Sequence, residues 1–211
     1  MEKSFDIIIV GAGPVGVYFG WQLAKRNRSV IVIEKDSREK TGSKMDQFHL
    51  ETMVFEKYGI PPPIEGTDEF ITNFEHTSYY GPYGKYQKVM KYPVTAMRFQ
   101  YFIQRLIKIA QQNGVVFSFS TEYKEPILEK NNLIGIKSIQ EGKVKEFYGK
   151  LIVDATGSSA IVRTSLPNDF GVEMFKIADD EKMYVIQRVI QWKYPGEPHP
   201  GTGEYEESIS W

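Results

Sequence analysis

Four consecutive apolar residues, Ile7 to Val10, run directly into Gly11-Ala12-Gly13-Pro14-Val15-Gly16, and no other stretch of the 211 residues limits the fold so narrowly. An unbroken run of β-formers reads as a strand buried on both faces. A helix is predicted to begin in the glycine segment, with Val15, Phe19 and Leu23 recurring at four-residue steps. Lys25, Arg26, Asn27 and Arg28 supply a polar, cation-rich end that suits a helix C-terminus. A second apolar run, Val30 to Ile33, then ends in Glu34.

Strand, glycine turn, helix, strand and acid each have a physical task in holding a dinucleotide. Gly11 permits a tight turn, Gly13 lets the backbone approach a pyrophosphate without a Cβ in the way, and Gly16 lets the helix lie close to the strand. Pro14 fits a first helical turn, where its missing N–H has no intrahelical partner to lose. The unpaired N–H groups and the positive end of the helix dipole favour phosphate. Glu34 is placed to accept hydrogen bonds from an adenosine ribose, and its charge disfavours the 2′-phosphate of NADP. The competing reading is a βαβ turn of purely geometric origin.

Charge and composition remove several function classes. The net charge is −1, with acids and bases interspersed, so nothing favours nucleic acid or an anionic membrane. The absence of Cys excludes disulfides, thiolate nucleophiles and cysteinyl metal sites, and fits a cytoplasmic protein. The first apolar run is a short strand rather than a signal peptide, and no run is long enough to cross a bilayer, which leaves peripheral membrane contact open. His49, His76 and His199 lack metal-ligand spacing, and Ser158 and Ser159 have no evident His partner. The metal expectation is none.

Beyond a polar loop from Lys35 to Lys44, Phe48, Met53, Phe55 and Tyr58 predict a helix closed by Gly59 and stopped by Pro61-Pro62-Pro63. Phe70 to Tyr80 and Lys85 to Tyr92 read as a hairpin turned at Gly81-Pro82-Tyr83-Gly84. Its tyrosines, at 79, 80, 83, 86 and 92, either line an apolar channel or pack across the hairpin. Met97 to Asn113 regains helical spacing and Val115 to Phe119 predicts a buried strand. Pro126 to Lys130, Leu133 to Gln140 and Val144 to Tyr148 predict a β-meander, followed by a separate strand over Leu151 to Val153 that enters Asp154-Ala155-Thr156-Gly157. Tyr184 to Trp192 predicts another strand, before a Pro/Gly-rich loop from Pro195 to Gly203.

Three separated segments match one pattern: the glycine turn with Glu34, the helix start Met97-Arg98-Phe99 after a hairpin, and Val153-Asp154-Ala155-Thr156-Gly157 with Ile161-Val162-Arg163. Together they resemble the FAD-dependent oxidoreductases of the glutathione-reductase-type Rossmann class, in the p-hydroxybenzoate hydroxylase branch, and most closely its geranylgeranyl reductase family. The resemblance implies that Gly11, Gly13, Pro14, Val15 and Gly16 lie along the FAD pyrophosphate, with Glu34 at the ribose and Lys35 beside the adenine. It implies that Arg98 reaches toward the pyrophosphate and ribityl region, that the Tyr123 backbone borders the adenine, and that Asp154, Ala155, Thr156 and Gly157 close the site. Arg98 as a surface cation at a helix end, and Asp154 as a turn cap, are the simpler alternatives. Where such enzymes carry a Cys, Thr41-Gly42-Ser43-Lys44-Met45-Asp46 has none.

The fold expected is α/β: a Rossmann-type FAD-binding domain with a parallel sheet and β-meander, from residues 1–59 and 94–166, and an inserted β-rich substrate domain, incomplete, from 60–93 and 167–211. The later Gly-Asp motif of such flavoproteins does not appear before Trp211, which predicts a chain truncated at its C-terminus. The function implied is transfer of hydride through FAD to an apolar, isoprenoid-type substrate, with NAD(P)H or another reductant as electron donor. Flavin-dependent monooxygenation or halogenation, and a non-catalytic nucleotide-binding fragment, are the alternatives. No catalytic acid or base is assigned, since that role requires substrate geometry.

Overall fold

The computed structural model describes residues 4–80 and 87–172. The expected turn at 81–84, the strand at 184–192 and the loop at 195–203 lie outside the described residues. In chain order the elements are β1 (Ser4–Val10), α1 (Pro14–Ala24), β2 (Val30–Ile33), β3 (Gln47–Glu51), α2 (Thr52–Tyr58) and β4 (Phe70–Tyr80). There follow β5 (Gln87–Arg98), α3 (Phe99–Gln112), β6 (Val116–Ser118), β7 (Thr121–Glu129), β8 (Asn132–Gln140) and β9 (Lys143–Asp154).

The described residues divide into two compact units, 4–48 with 97–172, and 49–80 with 87–96. The division falls at 48/49 and 96/97, so α2 belongs with the β-rich unit. In the first unit a six-stranded sheet runs β6-β2-β1-β9-β8-β7. Its β6, β2, β1 and β9 are parallel, and β9, β8 and β7 form the antiparallel meander. The architecture is the expected α/β one.

The apolar runs are buried on both faces because alternate residues serve two layers. A Cβ built on Gly20 of α1 lies 3.3 Å from the Ile9 side chain and 3.4 Å from that of Val32, so this face carries the helix. On the other face, Ile8, Val10, Ile31 and Ile33 pack with Phe5, Tyr123, Ile136 and Val162. The meander therefore folds back over the sheet face opposite α1. Removing the side chains of Ile7 to Val10 and Val30 to Ile33 from water contributes about 1.5–3 kcal/mol each.

Two elements differ from the sequence expectation, and α1, a helix as expected, packs through residues outside its four-residue stripe. The stripe Val15, Phe19, Leu23 is not the buried face of α1: Val15 is 72% and Phe19 39% exposed, while Gly16, Val17, Gly20 and Trp21 are buried. Two glycines four residues apart present the narrowest side of the helix, and that side can approach the sheet most closely. The two segments predicted at Val144–Tyr148 and Leu151–Val153 are one strand, because a Cβ at Gly149 would stand 2.8 Å from the Ile8 side chain and the glycine lets β9 pass unbroken. The helix begun at Phe48 is instead the short strand β3 followed by α2, with Phe48 edged against Phe99 and Phe102 at ring separations of 5.1 and 5.0 Å.

In the second unit β3, β5 and β4 form a three-stranded sheet with β5 in the middle. Both strands of the expected hairpin are present, and β5 continues through Pro93 to Arg98. Tyr92 donates to the Glu51 carboxylate at 2.6 Å. The side chains of Tyr79, Tyr80, Tyr83 and Tyr86 lie outside the described residues. Among the described residues no helix is long and apolar enough to cross a membrane.

Candidate nucleotide-binding site

The site is built at the carboxyl ends of β1, β2 and β9. Gly11 leaves β1 at φ +106°, and its N–H donates to the Ile33 carbonyl at 2.8 Å, which ties the turn to the end of β2. A Cβ on Gly11 would fall 2.5 Å from the Ala155 carbonyl oxygen, and one on Gly16 would fall 2.1 Å from the Gly11 carbonyl oxygen. Both glycines are therefore required by packing alone. Gly13 is different: its backbone is extended, at φ −69° and ψ 177°, and a Cβ there would meet nothing within 4 Å.

That open space is lined by donors. Among the described residues, the N–H groups of Gly13, Val15 and Gly16 find no acceptor, the first intrahelical bond being Val17 N–H to the Gly13 carbonyl at 3.0 Å. Pro14 occupies the first turn, which contains no acidic side chain and no side-chain cap. Unpaired amides at the positive end of a helix dipole form a cradle for an anion. A pyrophosphate satisfies both.

Glu34 is 9% exposed and its carboxylate faces this turn. One oxygen accepts from Ala12 N–H at 2.7 Å and the other from Asp36 N–H at 2.9 Å. A carboxylate has about four lone-pair sites, so acceptor capacity remains for a ribose hydroxyl. Lys35, the next residue, is exposed. The far wall is a segment that sequence reasoning missed: Thr121 N–H donates to the Glu34 carbonyl at 2.8 Å and Ser120 N–H to the Asp36 carbonyl at 3.0 Å. The Ser-Thr pair directly after a short apolar strand was the available signal. Tyr123, two residues further on, has its ring in the core and its hydroxyl 2.6 Å from Ser165 Oγ, so its side chain is committed to packing. Burial pushes the Tyr123 phenol above its ordinary pKa, against the opposing effect of the Ser165 hydrogen bond.

The end of β9 meets the glycine turn directly, with Ala155 N–H donating to the Val10 carbonyl at 2.9 Å. Asp154 Oδ1 accepts from Thr156 N–H at 3.1 Å and Thr156 Oγ1 at 2.6 Å, and Oδ2 accepts from Arg163 N–H at 2.8 Å. Thr156 Oγ1 in turn accepts from Ile161 N–H at 3.0 Å. Asp154 therefore shapes the loop from Ala155 to Arg163, and Ala155, Thr156 and Gly157 are held beside the glycine turn by it. Arg98 stands at the N-cap of α3 with an exposed side chain. Helix α3 also anchors the stretch around Thr41: Gln104 donates to the Arg38 carbonyl at 2.6 Å and the Thr41 carbonyl at 3.1 Å, and Phe99 N–H to the Asp46 carbonyl at 3.0 Å. Among the described residues no cluster of three or more His, Cys, Asp or Glu side chains could hold a metal.

Digeranylgeranylglycerophospholipid reductase of Haloferax volcanii is 27% identical over 169 residues, which are 79% of this chain and 38% of the relative. The enzyme of the same name from Sulfolobus acidocaldarius is 25% identical over 173 residues, 81% of this chain and 38% of its own. The chain thus spans less than half the length of these curated relatives. Among solved structures, a geranylgeranyl bacteriochlorophyll reductase-like protein from Thermoplasma acidophilum superposes with a TM-score of 0.71 at 16% identity, covering 78% of this chain and 42% of that one. A myxobacterial FAD-dependent chondrochloren halogenase gives 0.65 at 17% identity, covering 78% and 40%. At such identities the likeness is one of fold. The profile described as FAD binding domain matches residues 4–198, and with a turn whose open space and unpaired amides fit that cofactor's diphosphate, the chain belongs to the FAD binding domain family.

Proposed function

We propose that this chain forms the FAD-binding part of an oxidoreductase that reduces an apolar, isoprenoid-type substrate, with NAD(P)H or another reductant as electron donor. The observation that carries the reading is the space at Gly13, lined by three unpaired amides and bordered by the Ala155 corner. Two relatives named as digeranylgeranylglycerophospholipid reductases support the substrate class. FAD, when bound, supplies a redox centre that the side chains themselves lack.

The protein's own residues bind and orient. The N–H groups of Gly13, Val15 and Gly16 hold the pyrophosphate, with Pro14 keeping the first turn in shape. Glu34 accepts from the adenosine ribose, while Lys35, the Phe119–Thr121 link and the Tyr123 backbone border the adenine. Arg98 adds positive charge toward the pyrophosphate and ribityl chain, and Asp154, through Ala155, Thr156 and Gly157, keeps the opposite wall in place. A lipid substrate requires the enzyme to work in peripheral contact with a membrane surface.

The test is to reconstitute the protein with FAD, reduce it without oxygen, and add an isoprenoid lipid that retains its double bonds. Anaerobic reoxidation of the flavin with saturation of the lipid supports the proposal. Reoxidation that demands oxygen and an aromatic compound assigns the protein to the monooxygenase or halogenase class. A protein that retains no flavin after reconstitution overturns the reading.

A further inference from the structure

A second cavity lies wholly within the β-rich unit. It has a volume of about 530 Å³, within the range of small-molecule sites, and is walled by Phe55, Ile60, Phe70 and the Pro61-Pro62-Pro63 run. Phe55 and Ile60 are buried, and Ile60 N–H donates to the Phe55 carbonyl at 2.8 Å. Three consecutive prolines have fixed φ and no N–H to satisfy. This wall is apolar and fixed at its prolines, and the cleft opens to solvent where Thr52, Glu56, Pro61, Pro62 and Asn73 are exposed.

One polar chain interrupts it. Thr95 of β5, 4% exposed, donates its hydroxyl to Asn73 Oδ1 of β4 at 2.8 Å. Thr52, at the start of α2, lies 3.4 Å from the same Thr95 hydroxyl. With the Thr95 proton directed to Asn73, Thr52 is the donor in that contact. The sequence of bonds fixes the Asn73 carboxamide with its oxygen toward Thr95, and Asn73 is itself exposed, which leaves its two N–H groups open to solvent or to a ligand. All three side chains line the cavity. An oriented amide donor beside an apolar wall selects for a single acceptor oxygen, and the negative charge of Glu56, also in the lining, selects against anions.

We propose that this cavity binds a small, uncharged, mainly apolar molecule through one acceptor oxygen placed on the Asn73 amide. The site stands on the geometry of the second unit and does not depend on FAD.

The probe is geranylacetone, an acyclic ketone that accepts but does not donate, compared with geranic acid, a terpenoid carboxylate. Binding is followed in FAD-reconstituted protein by the NMR signals of the Asn73 side-chain amide, with flavin absorption recorded on the same samples. The ketone is expected to saturate and shift those two proton signals, and to bind at least tenfold more tightly than the acid. Asn73→Asp keeps the acceptor for Thr95 but removes the donor, and should weaken ketone binding roughly tenfold, near the upper end of what one net hydrogen bond contributes. Asn73 signals that do not move at saturation, preference for the acid, or unchanged affinity in a folded Asn73→Asp protein each overturn the proposal. Since flavin retention is read separately, its loss bears on the FAD site and not on this one.

Discussion

Gly13 and Gly16 stand three residues apart and answer to different demands. A Cβ at Gly16 would overlap the Gly11 carbonyl oxygen at 2.1 Å and crowd the Ala155 Cβ at 3.1 Å, so Gly16→Ala must push α1 away from the strand ends. Overpacking of this kind costs roughly 1–3 kcal/mol. Gly13 has ordinary backbone angles and empty space around it, so Gly13→Ala should change stability by less than about 0.5 kcal/mol, as surface substitutions do. Its methyl group nonetheless enters the anion cradle, and FAD affinity should fall by at least about tenfold. Urea unfolding combined with flavin fluorescence titration separates the two: Gly16→Ala loses stability, while Gly13→Ala loses binding alone. A Gly13→Ala protein that binds FAD normally places the pyrophosphate elsewhere.

Strands β1, β2 and β9 are tied at their opposite end by one acid. Asp6, on β1, accepts from Ser29 N–H and Oγ at 3.0 Å each, just before β2, and from Lys150 Nζ of β9 at 2.7 Å. The Lys150 hydrogen bond, followed by those from Ser29, holds the Asp6 carboxyl well below the usual carboxylate range. A lowered folded pKa means that the unfolded chain binds the proton more tightly. The contribution is therefore complete above the unfolded pKa, about 3.9, and fades as pH falls below it. Acid unfolding of the wild type should show this loss, and Asp6→Asn should show lower stability at neutral pH with a flatter decline below about pH 4. Lys150 is largely exposed, so added salt should shrink the difference. An acid limb unchanged in Asp6→Asn, measured by circular dichroism against pH, contradicts this account.

The cofactor site draws on segments remote in the chain, so binding stabilises the unit that assembles it. A ligand at a hundredfold excess over its Kd, bound to the folded state alone, adds about 2.7 kcal/mol. FAD at that excess should raise the unfolding free energy of the first unit by that amount, and the tenfold weaker binding of Gly13→Ala should cut the gain to about 1.4 kcal/mol at the same FAD concentration. Calorimetry with and without FAD checks it, and equal melting of the wild type in both conditions counts against a preassembled site.

Local patterns explain why so much of the fold around this turn was legible in the sequence. The apolar runs of β1 and β2, the glycine turn, Glu34 and the hairpin strand β4 depend on interactions between residues near in sequence, and their steric demands are visible in residue type. The four-residue stripe on α1 marked a helix without saying which side a neighbour covers; Gly16 and Gly20 decided which side meets the sheet. Strand β9 was divided on paper because a glycine reads as a breaker until the Ile8 side chain that it accommodates is known. Likewise, Asp154 could be assigned to a ligand or to a cap, and its three bonds to Thr156 and Arg163 show that it holds the loop. By itself the sequence determined the βαβ unit and the chemistry it can hold, since backbone sterics and charge act locally. Only the tertiary structure decided that Ala155 seals the turn at Gly11 and that Thr121 backs Glu34, because such contacts arise from the pairing of distant strands and leave no period in the sequence.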